Sequence, residues 1–350
     1  MKIAVLLSGG VDSSVALRLL QEDGHDLTAF YLKIWLEDEL AFLGDCPWEE
    51  DLKYARAVCE DANVPLEIVP LQTEYLDTVV SHALEELRAG RTPSPDILCN
   101  RRIKFGEFPK RIEQGFEKIA SGHYAQIEGR EGTEFLKRSP DLVKDQTYFL
   151  SGITQNQLRR AAFPLGHFTK DQVRELAQKF KLPNKDRKDS QGICFLGKIR
   201  YPDFVRVHLG EKVGEIVELE TGETLGQHRG FWFYTIGQRE GLGLAAGPWY
   251  VVKKDTDSNT IYVSHKTHRE ERSRDRFVVS APNWISGPPK TEVLQIKLRH
   301  GPQLTPCRIE YLSECKLAVQ MSKADPGIAS GQTAVIYDRE TCLGGGVITE

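Results

Sequence analysis

One segment narrows the possible folds more than any other. The strand-like run Lys2–Leu7 ends in Ser8-Gly9-Gly10-Val11-Asp12-Ser13-Ser14, and the apolar helix pattern Val15 to Leu20 follows at once. Strand, glycine turn and helix N-terminus in that order gather backbone N–H groups around a concavity, and the helix dipole adds positive potential there. Phosphate suits such a turn. The segment lacks the lysine of GxxxxGK[ST] and the spacing of GxGxxG, so it is neither a Walker loop nor a dinucleotide fingerprint. A plain glycine turn capped by Asp or Ser is the alternative reading of the same residues.

Around this turn, short apolar runs alternate with helical patterns, which predicts βαβ units and a parallel sheet. Strands are expected at Lys2–Leu7, Leu27–Leu32, Leu66–Leu71 and Lys118–Ser121, with helices at Asp51–Ala62 and Glu74–Ala89. The latter places Leu76, Val79, Val80, Ala83, Leu84 and Leu87 on one face. From Pro140 to Phe180 the pattern reads as helical throughout: Asp145–Leu150, Thr154–Ala161, and Thr169–Phe180 with Thr169 as its N-cap. After Pro202 short alternating strands broken by Gly, Pro and Asn predict small β barrels or sandwiches, with His268–Arg276 as a charged linker.

A chain of 350 residues exceeds what one core usually organises. Ordinary hydrophobic (40%) and charged (27%) fractions exclude a fibrous or largely disordered chain. No apolar run is long enough to cross a membrane, and Met1 leads directly into a strand-like run, so the expectation is a cytoplasmic protein without a membrane partner. The net charge of −4 does not advertise nucleic-acid binding, yet residues 181–200 carry six basic side chains against Asp186 and Asp189. That run is either an anion-binding loop or a solvated face.

Seven cysteines occur with no CxxC pair and no short Cys/His cluster, so neither a zinc knuckle nor a disulfide framework is indicated. No close cysteine triplet supports an iron–sulfur cluster either, although the sequence does not exclude one. Cys46, Cys59, Cys307, Cys315 and Cys342 read as small buried hydrophobes. Cys99 differs: it follows Thr92-Pro93-Ser94-Pro95-Asp96 at an expected helix start carrying Arg101, Arg102 and Lys104, a setting that favours thiolate. Cys194, in Asp189-Ser190-Gln191-Gly192-Ile193-Cys194, follows Lys185, Arg187 and Lys188. For a lone cysteine, inert packing remains the other reading.

SGGVDSS resembles the pyrophosphate loop of the N-type ATP pyrophosphatases. Seven segments, TPSPDILCN, SGHY, KDQTYFL, DSQGICFLG, YTIGQREGLG, ADPGIASGQTAVIYD and CLGGGVI, resemble in order the tRNA-specific 2-thiouridylases, the MnmA/TrmU family. Ser94 departs from the usual Asn of that family's loop, and Ser121 from the usual Thr. The resemblance implies an α/β fold: a Rossmann-like parallel sheet of the adenine nucleotide alpha-hydrolase, or PP-loop, type, followed by two small mostly-β domains, the last a β-barrel. The implied boundaries are residues 1–200 for the catalytic domain with a helical tRNA-binding insert, 201–272 for a central β-rich domain, and 273–350 for a tRNA-contacting barrel.

It also implies the reaction and its residues. ATP adenylates O2 of a wobble uridine, turning a hopeless leaving group into AMP, and sulfur from a cysteine persulfide then replaces it. Leu6, Leu7, Ser8, Gly9, Gly10, Val11, Asp12, Ser13 and Ser14 would hold the nucleotide phosphates, Leu32 and Gly122 would line the adenosine pocket, and Asp12 would help position Mg2+, with no dedicated metal cluster. Cys194 would carry the persulfide and Cys99 would act as the nucleophile upon it, leaving a disulfide for an external reductant. Asp96 is a candidate acid/base or, equally, a helix-capping residue. Ser94, Pro95 and Asp96 would touch the target base. His123, Lys144, Asp145, Gln146, Arg299, His300 and Gln332 would contact tRNA, although a satisfied buried histidine is the ordinary reading of His123. Partners implied are tRNAs of the Lys, Glu and Gln type and a persulfide donor, either a cysteine desulfurase or a relay protein. The aromatic run Phe231–Tyr234 reads as core within a strand rather than as a base-stacking platform. A ligase or amidotransferase of the same superfamily would leave both motif cysteines without a task, and a non-enzymatic tRNA-binding scaffold would bind RNA without turning over ATP.

Overall fold

A computed structural model describes residues 1–34, 48–188, 200–268 and 271–349. Strands β1 (Lys2–Leu6), β2 (Asp26–Lys33), β3 (Leu66–Pro70) and β4 (Lys118–Ala120) form where the apolar runs predict them. A hairpin of β5 (Ala125–Arg130) and β6 (Thr133–Arg138) follows, then the short β7 (Ala161–Ala162). Five of these make a parallel sheet in the order β3-β2-β1-β4-β7. β1 is central and covered on both faces, which is why it reads as an unbroken apolar run. Strand order reverses between β1 and β4, so their C-terminal ends flank the crevice in which open α/β sheets hold ligands.

Helix Trp48–Ala62 begins three residues before the sequence pattern suggests, and helix Lys170–Lys179 is capped by Thr169 in a capping box with Gln172. The stretch from Gln72 to Arg88 is helical but widens to a π-turn over Leu76–Val80, with Val79, Val80, Ala83, Leu84 and Leu87 buried and Leu76 partly so.

β8 (Gly214–Glu218), β9 (Thr224–His228), β10 (Trp249–Asp255) and β11 (Thr260–His265) form a second sheet around Ile216, Val251, Ile261 and Val263. Phe231 fills the same core, but from a short 3-10 turn at Phe231–Phe233 and not from a strand. β12 (Arg274–Trp284), β13 (Val293–Lys297), β14 (Thr305–Ser313), β15 (Lys316–Asp325), β16 (Thr333–Asp338) and β17 (Thr341–Ile348) close into a barrel in the order β12-β15-β14-β13-β16-β17, with β12 pairing back to β17. Arg274–Arg276 belong to β12, so the expected linker is shorter than its charge suggested. Cys59, Cys307 and Cys342 are buried, and burial pushes their thiols up to about 11, 12 and 12. Cys315, expected to be buried, is exposed at the turn between β14 and β15.

The β5–β6 hairpin is the main departure from the sequence reading. Its alternation is masked by Glu128, Arg130, Glu131, Glu134 and Lys137, and only tertiary pairing of β6 with β17 makes it part of the barrel's sheet. At this seam Asp145 is fully buried, and its Oδ2 faces Lys297 Nζ of β13 at 2.8 Å and Arg138 Nε of β6 at 3.2 Å. Thr147 donates to its Oδ1 from Oγ1 at 2.9 Å. Tyr148 donates from its hydroxyl to the carbonyls of Leu298 (3.2 Å) and Thr333 (3.0 Å), and Asn283 donates to those of Ser151 and Ile153. Barrel and nucleotide-type domain are thus joined by a buried charged knot. Removing its fully buried carboxylate leaves Lys297 without that partner and Arg138 with only the exposed Glu340, at 3.7 Å, as a carboxylate partner among the described residues, so Asp145→Ala is expected to lower the unfolding free energy by about 3–5 kcal/mol in denaturant titration. An unchanged midpoint would contradict this arrangement.

Candidate functional site

The glycine turn after β1 lies in the crevice. Gly9 has φ +75°, a left-handed backbone that a side chain resists, and a Cβ there would lie 2.2 Å from the carbonyl oxygen of Asp51. Gly10 caps helix Val11–Glu22 through its extended backbone, and the hydroxyls of Ser13 and Ser14 donate to its carbonyl at 3.0 and 2.9 Å. Ser8 is exposed, with its N–H on Ser13 Oγ at 3.2 Å. Leu6, Leu7 and Val11 turn their side chains into the core, so only their backbones border the crevice.

From the opposite side, the segment after β4 presses directly on this turn. A Cβ on Gly122 would lie 2.8 Å from Ser13 N and 3.0 Å from the carbonyl carbon of Asp12. Tyr124, buried next to it, donates from its hydroxyl to Asp12 Oδ1 at 2.9 Å, and Lys170 Nζ meets the same oxygen at 2.7 Å. Gln146 closes the chain of contacts, exchanging backbone and side-chain hydrogen bonds with the Tyr124 backbone at 2.9 and 3.0 Å. Leu32, at the end of β2, is partly buried against the core. Among the described residues no group of three His, Cys, Asp or Glu side chains is placed to hold a metal.

His123 is 8% exposed, with Nδ1 2.7 Å from Ser121 Oγ and its ring edge-on to Phe163 at 5.9 Å. Burial, with Lys104 nearby, holds it well below its usual pKa, hence neutral. The side chain is thus hydrogen-bonded and enclosed within the protein. The Asp145 side chain is engaged in the buried knot described above. Lys144 and Gln146 are half-buried, and Arg299 and His300 are exposed. Arg299 pairs with Asp325, while His300 stacks on Phe149 at 4.8 Å. Gln332 accepts from Ala329 N at 3.0 Å.

Cys99 stands elsewhere than the sequence suggests. The helix begins at Pro95, with Ser94 as N-cap and Asp96 in its first turn, and Cys99 opens the π-helical stretch Cys99–Glu107 beyond it. A dipole acts over the first turn only, so Cys99 does not gain from it directly, and it is 1% exposed. π-turns are frequent at functional sites. Phe105 of the same stretch packs 6.4 Å from the His123 ring, which ties this helix to the Gly122 segment. Both β units brace the loop before it: Thr92 N donates to Ser330 O at 2.8 Å, and a Cβ on Gly90 would lie 2.7 Å from Thr256. Cys194 and Cys46 lie outside the described residues.

Residues 1–198 match the family described as the tRNA methyl transferase HUP domain, 202–265 its PRC-barrel domain, and 274–348 the aminomethyltransferase beta-barrel domain. The chain is 45% identical to a tRNA-specific 2-thiouridylase MnmA of Parabacteroides distasonis, covering 100% of this chain and 99% of that protein. It is 44% identical to MnmA 1 of Bacteroides thetaiotaomicron over 100% of both. The chain belongs to the tRNA-specific 2-thiouridylases.

Within this 2-thiouridylase the sequence reading missed Tyr124, Lys170, Asn184 and Arg187, all of which reach the glycine turn. Tyr124 lies within the SGHY segment, but nothing local assigns it this contact, and all four arrive from segments more than a hundred residues away. The basic run 181–200 was the available signal for Arg187. Since Gly122 has no room for a methyl group, Gly122→Ala is expected to cost about 1–3 kcal/mol of stability and to weaken pyrophosphate binding, read by denaturation and calorimetry. A variant equal to the parent in both would contradict the contact.

Proposed function

We propose that this chain performs ATP-dependent 2-thiolation of the wobble uridine in tRNA. Uridine O2 attacks the α-phosphate of ATP and releases pyrophosphate, leaving C2 bonded to an AMP leaving group. The terminal sulfur of a Cys194 persulfide attacks C2 and expels AMP. Cys99 then attacks Cys194 Sγ, freeing 2-thiouridine and forming a Cys99–Cys194 disulfide, which an external thiol reductant reopens. Sulfur released by Cys99 as hydrosulfide before attacking C2 is the variant route with the same products.

The observation that carries this reading is the anchoring of the basic loop on the glycine turn. Arg187 Nη1 donates to Gly9 O at 3.1 Å, only seven positions before Cys194. At about 3.3–3.6 Å per residue, seven residues of chain span at most about 25 Å between the Cα atoms of Arg187 and Cys194. Cys99 sits on a helix packed against the same β4 segment through Phe105 and His123. Such an anchor is consistent with the proposed approach of both thiols to one crevice.

The proposed roles are these. The turn from Ser8 to Ser14 holds the phosphates; Leu32 and Gly122 border the adenosine. One Asp12 oxygen is already engaged by Lys170 and Tyr124. Asp12 would help position a magnesium ion through its other oxygen, and the ion, when bound, would supply charge neutralisation for the departing pyrophosphate. Ser94, Pro95 and Asp96 face the flipped base, with Asp96 as acid/base, since a stacked uridine cannot otherwise reach a pocket. Lys144, Gln146, Arg299, His300 and Gln332 supply RNA contacts, and the buried His123 and Asp145 support them from within. The persulfide comes from a cysteine desulfurase or relay protein, the substrates are tRNAs of the Lys, Glu and Gln type, and the setting is cytoplasmic. No helix among the described residues is long and apolar enough to cross a membrane.

Cys99→Ser and Cys194→Ser are each expected to abolish 2-thiouridine while leaving ATP binding intact. Mass spectrometry of nucleosides from treated tRNA, with nucleotide titration in parallel, checks this. Normal thiolation by either variant removes the mechanism.

A further inference from the structure

Two side chains from the loop after helix Lys170–Lys179 converge on one carbonyl of the glycine turn. Asn184, 1% exposed, donates from Nδ2 to Gly9 O at 2.8 Å and to Ser14 Oγ at 2.9 Å, while its Oδ1 is buried with no hydrogen-bond partner among the described residues. Arg187 donates to the same Gly9 oxygen at 3.1 Å. Its other guanidinium nitrogen is paired with Asp51, and the guanidinium lies over the Tyr54 ring at 4.9 Å. A buried amide that leaves one oxygen unsatisfied carries a desolvation cost, so its position is fixed by what the nitrogen does.

The consequence for the turn is geometric. The Gly9–Gly10 peptide is trans, and in a trans peptide the carbonyl and the following N–H point in opposite directions. Two donors gripping Gly9 O therefore hold the Gly10 N–H facing away from Asn184 and Arg187, at the N-terminus of helix Val11–Glu22. This peptide plane turns on Gly9 ψ and Gly10 φ, and neither glycine has a Cβ to restrict it, so the two donors limit that rotation. Oriented N–H groups stabilise anions most when they need no reorganisation on binding.

We infer that Asn184 and Arg187 are positioning residues for the phosphate cradle: they fix the Gly9–Gly10 peptide so that the Gly10 N–H is presented to the pyrophosphate part of ATP. This rests on the nucleotide reading above and adds to it two residues outside the glycine motif. Arg187 is anchored at three points, to Gly9, Asp51 and Tyr54, and a lysine has neither the fork nor the planar face to reproduce them.

The test uses the full chain and inorganic pyrophosphate as probe, by isothermal titration calorimetry, with Asn184→Asp, Arg187→Lys and Arg187→Gln. Each variant is expected to bind pyrophosphate about tenfold more weakly, the loss of one such hydrogen bond. KM for ATP should rise in proportion, while tRNA affinity stays within about twofold of the parent. Arg187→Lys, which keeps charge and length, guards against a variant that merely fails to fold. Variants that fold and bind pyrophosphate like the parent overturn the assignment, as does equal loss of pyrophosphate and tRNA affinity, which marks a general structural role. A parent chain that binds neither pyrophosphate nor ATP overturns the nucleotide reading itself.

Discussion

Two backbone turns in this protein touch with no side chain between them, and the site is built on that contact. Gly122, after β4, lies so close to Ser13 and Asp12 that a methyl group would overlap the helix N-terminus. The contact brings Tyr124 onto Asp12, Gln146 onto Tyr124, and His123 with Phe105 alongside. The glycine turn, the segment from Gly122 to Gln146 and the Cys99 helix consequently share one frame. Group transfer between two bound substrates depends on such convergence, because misplacement of reacting atoms by about 1 Å can cost a hundredfold in rate.

A second constraint fixes the barrel. Buried ion pairs often contribute little net stability, because desolvation offsets the attraction. Around Asp145 the geometry instead favours one register: cations from β6 and β13 both meet its buried carboxylate, which a shifted barrel would leave without them. The docked barrel then braces the loop ahead of Cys99 through Ser330 and Thr92. The barrel and the helix bearing Cys99 are therefore mechanically continuous.

Much of the fold was legible because its signals are local. β1 is an apolar run followed by a glycine turn, Thr169 and Gln172 spell a capping box, and barrel strands alternate between turn residues. The β5–β6 hairpin was not, since its strands are mostly charged and acquire their place only by pairing with β17, some two hundred residues later. At the site, the glycine loop and the Cys99 loop announced themselves by composition. Burial did not: nothing adjacent to His123 or Asp145 in the chain says that Phe163 or Lys297 will enclose them. Asn184 was silent for the same reason, its task being set by Gly9, 175 positions away.

The central claim is that a phosphate cradle and two thiols act on one base in one crevice. Its most direct test is a single turnover of persulfide-loaded protein with tRNA and Mg-ATP in the absence of reductant, followed by peptide mass spectrometry. The account predicts 2-thiouridine, AMP and a Cys99–Cys194 cross-linked peptide in equal amounts. Thiouridine formed while both cysteines remain open to alkylation would contradict it.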